Sequence, residues 1–401
     1  MRRNELGDLR LVGQSASCYS FGTMRFTLPI ALFCATSSCL GQQAATTSLP
    51  TDPRAILDAA RPLYDFSSAE LRPWHLRVSY QLYDEKENPT EKGTFEYWWA
   101  GPDVHRSTWT RGNVSYSKWA VSEHGHAHAG SSDGLRYVES KLEQAFFSPL
   151  PSERVMNSEH IQLEKRTYGK DASALQCVMV GPKMSSVSTS PMGLFPTYCF
   201  APSQPALMVY VGYASPTIEF NQIVKAQGRY LPKQITILSP ARKKLLTAGV
   251  EMTDGIKPDD AALTPPADVK VSYPPKTIKQ VGAPGSGPQP EMDAMTALGL
   301  GTERNPVVIA PGVAQGIALS RPAPIYPDDA KTARISGTVV IQALIGRDGW
   351  VHEMQVITAP SASLAASSLA AVSQWRYRPY LLNGEPVDVQ TTVNVIYSLG
   401  N

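Results

Sequence analysis

The 401-residue sequence is short of the features that usually announce an enzyme. It has no Gly-rich phosphate loop and no His-Glu-x-x-His pair, so the nucleotide and zinc-hydrolase templates are missing. Its scattered His, Ser and Asp residues do not argue a triad, and the chain is expected not to be an enzyme and to carry no cofactor. No Cys-x-x-Cys occurs among the five cysteines, which removes the usual redox motif. The formal net charge is only +2, without the basic excess that nucleic-acid binding leaves in a sequence. No nucleic-acid partner is expected.

A long apolar run is missing too, and a short address stands in its place. Met24-Arg25 precedes Phe26-Thr-Leu-Pro-Ile-Ala-Leu-Phe-Cys34-Ala35, followed by Ser37-Ser38-Cys39-Leu40-Gly41 and Gln42-Gln43. One positive charge, an apolar run and small residues read as a secretory leader over 1–41, with 1–23 a misassigned extension before Met24. The run falls short of the ~20 apolar residues of a membrane-spanning helix. Cleavage after Gly41, lipid attachment at Cys39 and retention as an anchor are the three fates these residues allow. Without the leader, Cys177 and Cys199 remain. An even pair in an exported chain reads as a disulfide worth roughly 3 kcal/mol, with two buried free thiols as the alternative.

Residues 44–255 read as one β-rich domain. A short helix is marked by Pro53 at a first-turn position. Leu76, Val78, Tyr80 and Leu82 then alternate with polar neighbours, and Thr94-Phe-Glu-Tyr-Trp-Trp99 returns after a turn. Further short strands at about ten-residue spacing predict an antiparallel meander, interrupted by one helix over about 134–147. The cadence of 70–250, with a turn at Gly228-Arg-Tyr-Leu-Pro-Lys233, resembles the LolA-like periplasmic half-barrels. That resemblance implies a curved antiparallel sheet around an apolar cavity. Eight prolines fall between Ile256 and Pro290, a composition that stays extended, so 256–305 is read as a linker.

The C-terminal stretch, 306–401, changes character. Asp328 and Asp329 suit the first turn of a short helix behind Pro327. Gly337–Ile345 is β-branched, Asp348-Gly349 turns it, and 350–357 returns. Leu364, Ala365, Ser368, Leu369, Val372 and Trp375 fall on one face of a second helix. In the last strand, Val387, Val389, Thr391, Val393, Val395 and Tyr397 share a face. The fold class is α+β: a half-barrel-like, β-rich N-terminal domain, then a three-stranded antiparallel sheet with two helices.

Tyr326-Pro-x-x-Ala330, Arg334-Ile-x-Gly337-Thr-Val-Val-Ile, Asp348-Gly349-x-Val351 and Gln374-Trp-Arg-Tyr-Arg-Pro-Tyr380 stand in order before the valine-rich strand. Over about 310–401 these blocks resemble the TonB C-terminal domain. The resemblance implies a cell-envelope protein of the periplasm whose last strand, on 387–397, accepts a strand from an outer-membrane transporter or other envelope protein. It also implies coupling to an inner-membrane motor complex, but that family's anchor helix carries a histidine and 26–40 has none. Ala323 stands where the transducers carry a polar residue. A lipid- or ligand-carrying periplasmic protein that docks through this module is the alternative reading. Trp375 and Tyr377 read as structural anchors, and His352 as a solvated strand residue. The one metal-like run is Glu123-His124-Gly125-His126-Ala127-His128, whose histidines would share a strand face.

Overall fold

The computed structural model describes residues 49–123, 125–130, 136–184, 192–212, 215–257, 260–272, 307–382 and 385–399. Within it, Thr46–Asn401 forms one compact unit. The leader, His124 and most of the proline-rich stretch lie outside the described residues.

Helix α1 (Pro53–Ala60) starts where the Asp52 carboxylate accepts from the Ala55 N–H. A first meander follows: β1 (Trp74–Tyr83), β2 (Pro89–Gly101), β3 (Val104–Arg111), β4 (Val114–Val121) and β5 (Gly125–Gly130). Helices α2 (Tyr137–Phe147) and α3 (Glu153–Met156) lead to β6 (Ile161–Tyr168), β7 (Leu175–Pro182) and β8 (Thr197–Phe200). The run ends with β9 (Leu207–Val211), β10 (Thr217–Ala226), β11 (Arg229–Leu238) and β12 (Lys244–Asp254). Because β12 pairs with β1, the two meanders fuse into one open twelve-stranded sheet with β5 and β6 at its edges.

Alternation along β1 sets which face is covered: Trp74, Leu76, Val78, Tyr80 and Leu82 are buried while Arg77 and Ser79 are exposed. Ile56 and Leu57 of α1 and Leu142 and Phe146 of α2 join that core. Phe95 stacks on Trp109 at 4.2 Å, and Trp74 stacks on Tyr97 and Trp99 at 5.4 and 6.0 Å. Aromatic side chains therefore fill the covered face, where the half-barrel resemblance implies an apolar cavity. Each fully buried residue such as Phe95 contributes roughly 1.5–3 kcal/mol.

One buried charge ties α2 to the sheet. Glu139 is fully buried and accepts from the Tyr80 hydroxyl, from Arg111 Nε at 2.9 Å and from the Arg136 N–H at 2.5 Å. Gly93 lies under the Tyr80 hydroxyl, where a Cβ would also meet the Thr110 carbonyl at 2.8 Å. Cys177 and Cys199 sit directly opposite on β7 and β8 and are joined by a disulfide.

Two sequence expectations are corrected here. The 228–233 segment turns only at Gly228; Arg229 already opens β11, and Pro232 lies opposite Ile223 in a ladder that keeps one register past Gln222, whose φ is 52°. The proline-rich stretch does not begin as a free linker. Leu263 is buried, and the Ala262 carbonyl accepts from Arg106 and from the Trp119 indole, both at 3.2 Å. The Arg106 guanidinium lies between Trp98 and Trp119, at 4.8 and 5.0 Å.

The C-terminal module comprises β13 (Val307–Val308), α4 (Pro311–Gly316), β14 (Ala318–Ser320), α5 (Asp328–Thr332), β15 (Gly337–Ile345) and β16 (Val351–Thr358). It continues through α6 (Ala362–Val372), β17 (Arg376–Tyr377), β18 (Tyr380–Leu382), β19 (Glu385–Val387) and β20 (Val389–Tyr397). Its sheet has four strands in the order β13-β20-β15-β16, not three, and three helices are described rather than two. The added strand is β13, which pairs parallel with β20. At the β15–β16 turn Gly349 has φ 78°, a conformation that favours glycine. The predicted face of α6 is buried, and the Ser361 hydroxyl accepts from the Leu364 N–H at its start. The Trp375 indole donates to the Pro322 carbonyl at 3.0 Å.

Candidate functional site

The last strand divides differently from the sequence reading. Val387 belongs to β19, which pairs with β18, while β20 starts at Val389. Asp388 makes the break; its carboxylate accepts from the Arg347 N–H at 3.0 Å. Within β20, Val389, Thr391, Val393, Val395 and Tyr397 are buried, whereas Asn394 and Ile396 are exposed. The buried set is core: Tyr397 meets the Ser368 hydroxyl at 3.0 Å and the Tyr326 ring edge-on at 5.1 Å. What β20 offers a guest is backbone.

That backbone has a defined polarity. The Gln390 carbonyl accepts from Ile309 N at 3.0 Å, so Gln390 turns its groups away from β15. Alternation then aims the N–H and C=O of Asn394 and Ile396 at the same outer side, and those of Val393 at β15. Among the described residues, no strand pairs with β20 on that side beyond Gln390.

An open edge is an aggregation hazard that proteins blunt with charge, proline, bulges or a cover. The two larger sheets have four edge regions among the described residues, and three of these are blunted. Strand β5 is bridged by Ser272, which exchanges two 2.8 Å bonds with His126. Strand β6 carries Glu164, Lys165 and Arg166. Strand β16 holds His352 and Glu353, and its pairing with β15 is broken by two register shifts. The β15–β20 ladder runs through nine pairs without a shift, and no charged residue occurs from Val389 to Leu399. Among the described residues, the β20 edge is the flat and uncharged one of these four edges.

The sheet face away from the helices is half covered. Gln342, Leu344, Glu353 and Gln355 on this face are buried. Lys141 Nζ of α2 lies 2.9 Å from Glu353 Oε1, an ion pair rather than an aligned hydrogen bond, with side chains 3% and 2% exposed. The His352 ring stacks on Tyr137 at 5.1 Å and pairs with Asp348 at 2.9 Å, so His352 is a contact residue and not a solvated one. Burial, with the Glu353 charge nearby, holds the Tyr137 hydroxyl well above its ordinary range. Burial opposes ionisation of Asp348, yet hydrogen bonds from His352 and the Trp350 N–H hold its carboxyl below the usual value. Met179, Leu194 and Phe195 of the β-rich part complete the module's apolar cluster.

The other candidates do not converge. His126 and His128 are exposed on one face of β5, and no group of three metal-ligating side chains exists among the described residues. No Gly-x-Ser-x-Gly elbow is expected, yet Gly130-Ser131-Ser132-Asp133-Gly134 fits that pattern; residues 131–135 lie outside the described ones. It follows an antiparallel edge strand, unlike the nucleophile elbow of an α/β-hydrolase sheet. A groove of about 850 Å³, lined mainly by hydroxyl and amide residues such as Ser79, Thr94, Gln234 and Thr247, is remote in sequence from β20 and brings together none of the predicted site residues. No described helix is long and apolar enough to cross a membrane.

The C-terminal part is thus a small α+β module whose uncharged strand β20 has, among the described residues, no strand paired beside Asn394 and Ile396 on the side away from β15. Residues 322–399 match the family described as Gram-negative bacterial TonB protein C-terminal, so this module is a TonB C-terminal domain. It is similar to the C-terminal domain of Pseudomonas aeruginosa TonB in solution, at 27% identity over 21% of this chain and 86% of that one, with TM-score 0.19. The β-rich part is similar to a LolA superfamily protein from Nitrosomonas europaea, at 8% identity over 54% of this chain and 99% of that one, with TM-score 0.36. No curated protein matches the chain.

Proposed function

We propose that this is a non-catalytic cell-envelope protein of the periplasm whose C-terminal domain captures an extended segment of a partner by adding it to β20. An outer-membrane transporter or another envelope protein would supply the segment, and transport coupled to an inner-membrane motor is the role the TonB match favours. The observation that carries the reading is the unblunted edge: nine regular pairs, no charge, and backbone groups of Asn394 and Ile396 aimed outward. The carrier alternative has less support, because aromatic side chains fill the face where a ligand would lie.

Placement of the substitutions decides the test. Proline at Val393 would remove an N–H that faces β15 and break the domain. Asn394→Pro removes an outward N–H, and Ile396→Lys puts a charge on a side chain that is 73% exposed. Both are expected to keep the far-UV circular dichroism of the parent and to lose capture of envelope proteins. Undiminished capture by both folded variants would rule the edge out.

A further inference from the structure

The acceptor edge is already occupied over its first residues by the chain's own β13. Val307 N donates to the Asp388 carbonyl and Ile309 N to the Gln390 carbonyl, both at 3.0 Å. The fully buried Thr391 hydroxyl donates to the Ile309 carbonyl at 3.1 Å, and Ile309 is buried in the domain core. Pro311 then opens α4 and takes the chain off the edge. Removing β13 would expose Ile309 and leave a buried hydroxyl without its acceptor, a penalty no guest backbone offsets on its own.

We propose that β13 is a built-in stop that confines a guest strand to the stretch from Thr392 to Tyr397. This deepens the strand-acceptor reading and rests on it. Six residues span about 20 Å, so the guest is a short extended segment of a partner protein, of about six residues. Its chemistry follows from its neighbours. Neither Val389–Leu399 nor the paired strand Gly337–Ile345 contains a charged residue, and Ile396 presents an exposed apolar side chain beside the free backbone. A neutral segment with an apolar residue against Ile396 fits; a charge there would lose water without gaining a counterion.

The test uses the full chain and three labelled, end-blocked peptides: an alternating Thr-Val hexamer, the same repeat as a decamer, and the hexamer with one central Val replaced by Glu. Binding is read by fluorescence anisotropy and the footprint by amide hydrogen exchange. The hexamer and decamer are expected to bind within about threefold of each other, and the Glu peptide about tenfold or more weakly. Exchange at Asn394 and Ile396 slows, while Val307 and Ile309 stay as protected as before. In Thr391→Val, which loosens the stop, the decamer gains on the hexamer. A decamer at least about tenfold tighter in the parent, with protection lost at Ile309, overturns the stop while leaving the edge reading intact. Peptide binding without protection on β20, or no binding by any peptide, removes both. Protection of Asn394 and Ile396 by self-association without peptide would make a second copy the occupant and overturn the proposal.

Discussion

Neutralising Glu353 should expose how firmly the TonB domain is fixed to the β-rich part. The carboxylate and the Lys141 ammonium are 2.9 Å apart with side chains 2% and 3% exposed, and the only other acceptor described for Lys141 is Gln144 Oε1 at 2.7 Å. In Glu353→Gln the ammonium keeps only neutral partners in a site that excludes water. Breaking a buried pair in this way costs about 3–5 kcal/mol. Against a typical stability of roughly 5–15 kcal/mol, that is a large loss. Lys141→Met should cost a similar amount, because it strands the carboxylate instead. The double variant Lys141→Met/Glu353→Leu removes both charges and fills the space, and buried pairs replaced this way are often neutral or more stable by about 1–4 kcal/mol. Urea denaturation gives the three free energies, and hydrogen exchange shows whether α2 and β16 loosen together. Single variants that each cost under about 1 kcal/mol would refute a desolvated pair between the two parts.

Gly93→Ala places a methyl group against the Tyr80 hydroxyl and the Thr110 carbonyl, so thermal unfolding should show a loss of about 1–3 kcal/mol. Gln342 is fully buried and neither of its amide atoms has a hydrogen-bond partner among the described residues; Gln342→Leu should stabilise by about 1–2 kcal/mol, and a loss in urea melts would mean that the amide is satisfied in solution. Cys177→Ala/Cys199→Ala opens a cross-link between residues 22 apart and should lower stability by roughly 3 kcal/mol, which calorimetry can check. Burial, partly opposed by Glu96, lowers the pKa of His75, so on acidification the unfolded chain takes up that proton first. Stability should therefore fall as pH drops through the ordinary histidine range near about 6.5, and His75→Gln should flatten that slope in pH-dependent melts.

What could be read from the sequence was whatever repeats locally. The alternation of Leu76, Val78, Tyr80 and Leu82 and the spacing of Leu364, Ser368, Leu369 and Val372 each bury one face, and periodicity reports that directly. Long-range bonds leave no such trace. Asp388 separates β19 from β20 and accepts from the N–H of Arg347, 41 residues earlier, so Val387 reads as one strand with Val389 although it is not. Two residues of β13 in parallel pairing are too few to show a period. Glu353 alternates with the inward Met354, which predicts solvent for its side chain, and α2 takes that place instead.

The acceptor edge is the sharpest case of this limit. A run such as Val389-Gln-Thr-Thr-Val-Asn-Val-Ile-Tyr397, without charge, proline or bulge, has the composition of a strand protected on both sides. Composition alone therefore assigns it to the interior of a sheet. Only the order β13-β20-β15-β16, with β13 ending at Val308, shows that one side of it is left without a covering strand among the described residues. The lack of protection that makes β20 look like core is then the property that suits it to receive a strand from elsewhere, and the two-residue β13 determines where along it that strand begins.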